Sequence, residues 1–156
     1  MMKKTLALFL TTTLLSTAAL ATNAKKVANP STPRLYLSVI DVSASKPVDL
    51  QKTEISRSAK QQLCWSATGG IFPTPSEVTE VFTSPKPTTF QAGDSFSMSS
   101  ADKKVHTITS KKTPSNDNKV VSGCWQFDKT DPTGQYSLSV KIGNIQYGQL
   151  NFKVTE

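Results

Sequence analysis

Residues 123–156, GCWQFDKTDPTGQYSLSVKIGNIQYGQLNFKVTE, decide the fold. Tyr136, Leu138, Val140 and Ile142 alternate with Ser137, Ser139 and Lys141, the period of two that gives a strand one apolar face. A Gly143-Asn144 turn follows, and Leu150, Phe152 and Val154 then repeat the pattern. With the segment around Cys124, the stretch reads as three consecutive strands closing a β-sandwich.

Upstream, the same period recurs. Residues 34–42 form a first strand with Leu35, Leu37 and Val39 on one face. Residues 46–60 are polar and carry Pro47, which predicts a loop grading into a strand near Glu54. Residues 61–67 place Leu63 and Trp65 opposite Cys64, and 77–83 form a shorter strand stopped by Ser84-Pro85-Lys86-Pro87. Phe96 and Met98 face one way, and 105–110 return after Ala101-Asp102-Lys103 as a hairpin. Residues 120–128 carry Cys124 and Trp125. Short strands separated by Pro, Gly, Ser and Asn clusters predict an all-β, antiparallel sandwich of about seven strands over residues 34–156.

The first 21 residues have the form of a cleaved signal peptide, with Lys3 and Lys4 before an apolar run and Ala19-Leu20-Ala21 as the cleavage site. Residues 22–33 are polar, hold two prolines and read as a flexible leader. The expected location is therefore the periplasm or the exterior, with no membrane span in the mature chain. Lys3 and Lys4 leave with the signal peptide, so the formal charge falls from +7 to +5. The basic residues are nearly all lysine, with Arg34 and Arg57 the two guanidinium groups, which argues against a nucleic-acid partner. A diffuse positive field suits anionic envelope components or an acidic protein partner instead. Cys64 and Cys124 are the two cysteines, and in an oxidising compartment they are expected to pair, two free thiols being the alternative.

The run Asp131-Pro132-Thr133-Gly134-Gln135-Tyr136 resembles the D-x-x-G-x-Y corner of immunoglobulin-like domains, in which the Tyr hydroxyl returns to nearby backbone. The resemblance implies an immunoglobulin-like sandwich with Asp131, Gly134 and Tyr136 as its structural corner. The antibody pattern has its second cysteine two residues past the corner Tyr, whereas here position 138 is leucine and Cys124 precedes the corner. A Cys64–Cys124 bridge would thus join the strand before the corner to an early strand. Trp65 and Trp125 each follow a cysteine, so alternation sends the rings and the sulfurs to opposite faces. The apolar alternations Leu63-Trp65 and Trp125-Phe127 favour the rings as core; core-facing cysteines would instead leave a surface aromatic pair. The final hairpin also resembles the closing strands of CopC-like periplasmic copper carriers. That likeness extends to architecture, since His106 and Met98 are the only His and Met of the mature chain.

No stretch carries a catalytic signature. His106 reads as a strand residue beside a hairpin turn, Asp128 and Asp131 as turn-capping acids, and Glu77 and Glu80 as residues on opposite strand faces. The expectation is a non-enzymatic exported protein without cofactor or metal, binding another protein as an inhibitor, immunity-type protein or accessory subunit. The rival readings are a surface-fibre subunit and a periplasmic carrier of a small ligand or metal. Candidate partner-binding residues are Phe90, an apolar residue inside a polar loop, and the lysine pairs Lys103-Lys104 and Lys111-Lys112.

Overall fold

Residues 32–156 are described by the structure, a computed structural model; the expected signal peptide and residues 22–31 of the leader lie outside them. Eleven strands run in chain order: β1 (Arg34–Asp41), β2 (Val48–Asp49), β3 (Glu54–Ser56), β4 (Gln61–Thr68), β5 (Ser76–Thr83), β6 (Phe96–Ser99), β7 (Val105–Lys112), β8 (Val121–Trp125), β9 (Gly134–Ile142), β10 (Ile145–Gln146) and β11 (Leu150–Thr155). Seven of these have five or more residues and match the strands expected from the alternation. The other four are short edge or connecting pieces.

Two sheets form. One has the order β2-β1-β4-β8, the other β3-β11-β9-β5-β7-β6, with β10 paired to β9. Pairing is antiparallel except that β3 runs parallel to β11, Ile55 opposite Val154. The alternating residues meet between the sheets. Val39, Leu63, Trp65, Ala67 and Val121 from the first face Val78, Phe82, Ile108, Leu138, Val140 and Phe152 from the second, all buried. Each such aliphatic side chain contributes roughly 1.5–3 kcal/mol of transfer free energy. That is the term that holds the two layers together.

Between β8 and β9 the chain makes its corner. The Tyr136 hydroxyl donates to the Pro132 carbonyl at 2.7 Å, and Asp131 Oδ2 accepts from the Asp128 N–H at 2.9 Å. Gly134 has φ +134°, a conformation that L side chains rarely adopt, and an added Cβ would lie 3.1 Å from Pro85. The Tyr136 hydroxyl thus returns to nearby backbone at a corner where Gly134 supplies the positive φ.

Cys64 and Cys124 form the disulfide, and it lies within one sheet. They are directly opposed on the neighbouring strands β4 and β8, with Cα atoms 4.1 Å apart. Because side chains alternate, a bridge on the outer face turns Trp65 and Trp125 inward. Trp65 is fully buried and Trp125 partly so, which settles the two arrangements open in the sequence in favour of the core.

Candidate functional site

The loop between β5 and β6 is pinned at its start. Ser84 N donates to Lys104 O at 2.8 Å and Thr88 N to Lys103 O at 3.0 Å, tying the loop to the β6–β7 turn. Phe90 then drops against the core, stacked on Phe82 at 4.7 Å and set edge-on to Trp125 at 5.6 Å. With Phe90 as anchor, the loop residues beyond it overhang the free edge of β8. The result is an open cleft of about 510 Å3 at the side of the sandwich. Thr89, Gln91, Ala92 and Ser95 form the loop wall, and the segment from Cys124 to Asp128 forms the other.

Glu80 lies at the base of this cleft. It occupies the inward phase of β5 between Val78 and Phe82 and is 1% exposed. Its Oε1 accepts from both indoles of the opposite sheet, Trp65 Nε1 at 2.6 Å and Trp125 Nε1 at 2.7 Å. One carboxyl oxygen thereby links β5 to β4 and β8 across the core. Its Oε2 is buried and has no hydrogen-bond partner among the described residues. Among the described residues the other such atom is Ser110 Oγ, on the inner phase of β7 and diagonal to Glu80 in the register that pairs Glu80 with Ile108.

Charges in the lining are mostly negative: Glu80, Asp128 and Asp131 against Lys112. Hydrogen bonds from the Thr130 hydroxyl and N–H hold the Asp128 carboxyl below the usual range. Burial pushes Asp131 up, with the nearby Asp128 charge adding to the shift. Lys112 lies with Nζ 5.8 Å from the Trp65 ring centroid, across the inner face of Gly123, where an added Cβ would sit 3.0 Å from both the ammonium and the indole. It makes no ion pair with Glu80: the ion pairs among the described residues are Arg57–Glu156 and Lys153–Glu54.

The residues singled out in the sequence separate in space. Phe90 is half-buried and lines the cleft. Lys103 and Lys104 sit at the β6–β7 turn, whereas Lys111 and Lys112 sit at the other end of β7, roughly 26 Å away at ~3.3 Å per residue. Lys111 points outward opposite Glu77, so Lys112 is the lysine of the four that reaches the cleft. His106 is buried with both ring nitrogens engaged, Nε2 on Lys103 O and Nδ1 on Ser99 Oγ, each at 2.9 Å. A carbonyl only accepts, so Nε2 carries the proton. The sequence places Glu80 on the strand face opposite Glu77 but assigns it no role; the available signal was an acid at the inward phase of an otherwise apolar strand face.

The family model described as PM0630 beta sandwich domain matches residues 35–155. The chain belongs to the PM0630 beta sandwich family. This PM0630-family chain is 26% identical over 131 residues to uncharacterized protein PM0630 of Pasteurella multocida, covering 83% of this chain and 82% of that protein. An immunoglobulin-like protein from Pseudomonas aeruginosa superposes with a TM-score of 0.50 at 14% identity, covering 82% of this chain and all of that one. That likeness shows the fold, and with the tyrosine corner it makes the PM0630-family sandwich immunoglobulin-like. No helix among its described residues is long and apolar enough to cross a membrane.

Proposed function

We propose that this protein is a non-enzymatic, exported module that binds another protein through the side of its sandwich, where the β5–β6 loop, the cleft and the β6 edge lie together. The observation that carries the reading is β6. It ends its sheet, so among the described residues one side of its backbone has no strand partner, and Phe96 and Met98 project from it 65% and 57% exposed. Ser95, the residue before it, already lines the cleft. An unprotected edge beside exposed apolar side chains is what natural sheets avoid unless something docks there. Export is supported by the signal-peptide pattern and by a disulfide, which suits an oxidising compartment. The acidic lining of the cleft favours a basic contact from the partner at this point, whereas the overall positive charge favours acidic surroundings.

The test is capture from native envelope and secreted fractions with the wild-type protein and a Phe96→Lys/Met98→Lys variant. One dominant protein retained by the wild type and lost by the variant is expected. Equal capture by both would move the contact elsewhere, and turnover of a substrate by the purified protein would overturn the non-enzymatic reading.

A further inference from the structure

The orphaned oxygen of Glu80 has a chemical meaning of its own. A carboxyl oxygen removed from water and left without a donor is costly, and buried polar atoms in native proteins are nearly always paired. Among the described residues no donor, the diagonal Ser110 hydroxyl included, hydrogen-bonds to Oε2. The two indoles are spent on Oε1, and Lys112 is held over Trp65. The residue that carries the vacant lone pairs lines an open cleft, but Oε2 itself is covered from water, so a donor reaches it only as the side chains over it give way. Two independent features point the same way: the other three charges of the lining sum to an excess of acid, and Phe90, Trp125 and Phe127 supply aromatic surface beside the carboxyl. Aromatic faces next to a carboxylate attract organic cations.

We propose that the cleft is a receptor for a single organic cation, a guanidinium or primary ammonium group, that donates to Glu80 Oε2 and packs against the aromatic wall. The inference deepens the protein-binding reading, on which it rests for the source of the cation: an Arg or Lys side chain inserted by the partner. The same chemistry also comes from a free amine. Lys112 is a like charge at the edge of the site, so its removal strengthens cation binding.

Titration of the 15N-labelled protein, followed through the indole N–H resonances of Trp65 and Trp125, tests this directly because both donors sit on Glu80. Methylguanidinium and n-butylammonium are expected to shift both resonances saturably, while neutral N-methylurea does not. Glu80→Gln keeps an oxygen for the indoles but sets an NH2 where Oε2 was; it should weaken binding at least tenfold with the thermal transition retained. Lys112→Gln should tighten binding at least twofold and decides the matter even if the Glu80 variant fails to fold. Short blocked peptides containing one Arg or Lys separate the sources. Binding at least tenfold tighter than the free cations supports a polypeptide partner, and binding no tighter supports a free amine, which upholds the cation site while removing the protein-anchor role. The proposal is overturned if no cation saturates, if N-methylurea shifts the resonances equally, if Glu80→Gln binds as well as wild type, or if cations bind only after Lys112 is removed.

Discussion

Replacing Glu80 with leucine separates a bridging role for this residue from mere tolerance of an acid in the core. Leucine fits an apolar environment and removes a buried carboxyl, so on hydrophobicity alone it should stabilise the sandwich. The hydrogen bonds argue the reverse. Trp65 Nε1 and Trp125 Nε1 both donate to Glu80 Oε1, and a leucine in its place would leave both without an acceptor. An unsatisfied buried donor costs about 1–3 kcal/mol. Trp65 is 1% exposed and should bear that cost in full, whereas Trp125 is only partly buried and regains water through the cleft. The expected loss is thus about 2–4 kcal/mol, with a smaller loss of about 1 kcal/mol for Glu80→Gln, whose amide oxygen still accepts. Urea unfolding followed by tryptophan fluorescence reads both, provided the denaturant slope is unchanged, so that a midpoint shift is a stability change. A leucine variant as stable as wild type, or more stable than Glu80→Gln, would refute the bridge.

Tyr136→Phe should cost about 1–2 kcal/mol, because the Pro132 carbonyl loses its donor at the corner; a melting temperature unchanged within error would count against it. Replacing Cys64 and Cys124 together by serine frees a connection of sequence separation 60 and should lower stability by about 2–4 kcal/mol, while circular dichroism keeps the same sheet signal because the residues flanking the bridge on β4 and β8 are also in register. Acid should destabilise the protein. Hydrogen bonds hold Asp41, Asp49, Asp102 and Asp128 below the ordinary range, led by Ser43, Ser38, Ser100 and Thr130 respectively. Their stabilisation is present above the unfolded value of about 3.9 and is lost as pH falls through the lower folded values. Asp131, raised by burial, has the opposite sign: ionised, it opposes folding, and protonation relieves it as pH falls through its folded value. Melting temperature should therefore fall more steeply between pH 5 and about pH 3 in Asp131→Asn than in wild type, and a shallower slope in the variant would contradict this assignment.

The layers of the fold were legible because they rest on local rules. Tyr136 to Ile142 alternate, and every inward position is buried. The D-x-x-G-x-Y run carries its own reason, a φ that suits glycine and a hydroxyl within reach of a carbonyl four residues back. With two cysteines one bridge was the expectation against two free thiols; its place within one sheet followed only once β8 was seen to neighbour β4. The cleft was not legible in the same way. Glu80 depends on indoles 15 and 45 positions away, and no local pattern announces that two donors from another sheet converge on one oxygen. The two lysine pairs separate for a related reason. Closeness in sequence along an extended strand becomes distance in space, so Lys104 and Lys112 stand at opposite ends of β7. Phe90 was legible as an unusual residue but its two roles, covering the core and walling the cleft, are assigned by Phe82 and Trp125.

The central claim is that this side of the sandwich receives a partner through Glu80. Photo-crosslinking in native cells tests it most directly, with a photoreactive residue at Gln91 on the cleft wall, and separately at Asn151 on β11, away from the cleft. One dominant protein adduct is expected from position 91, absent from position 151, and lost when Glu80→Gln is added to the first. The same adduct from both positions, or an adduct at 91 that survives Glu80→Gln, would contradict the claim.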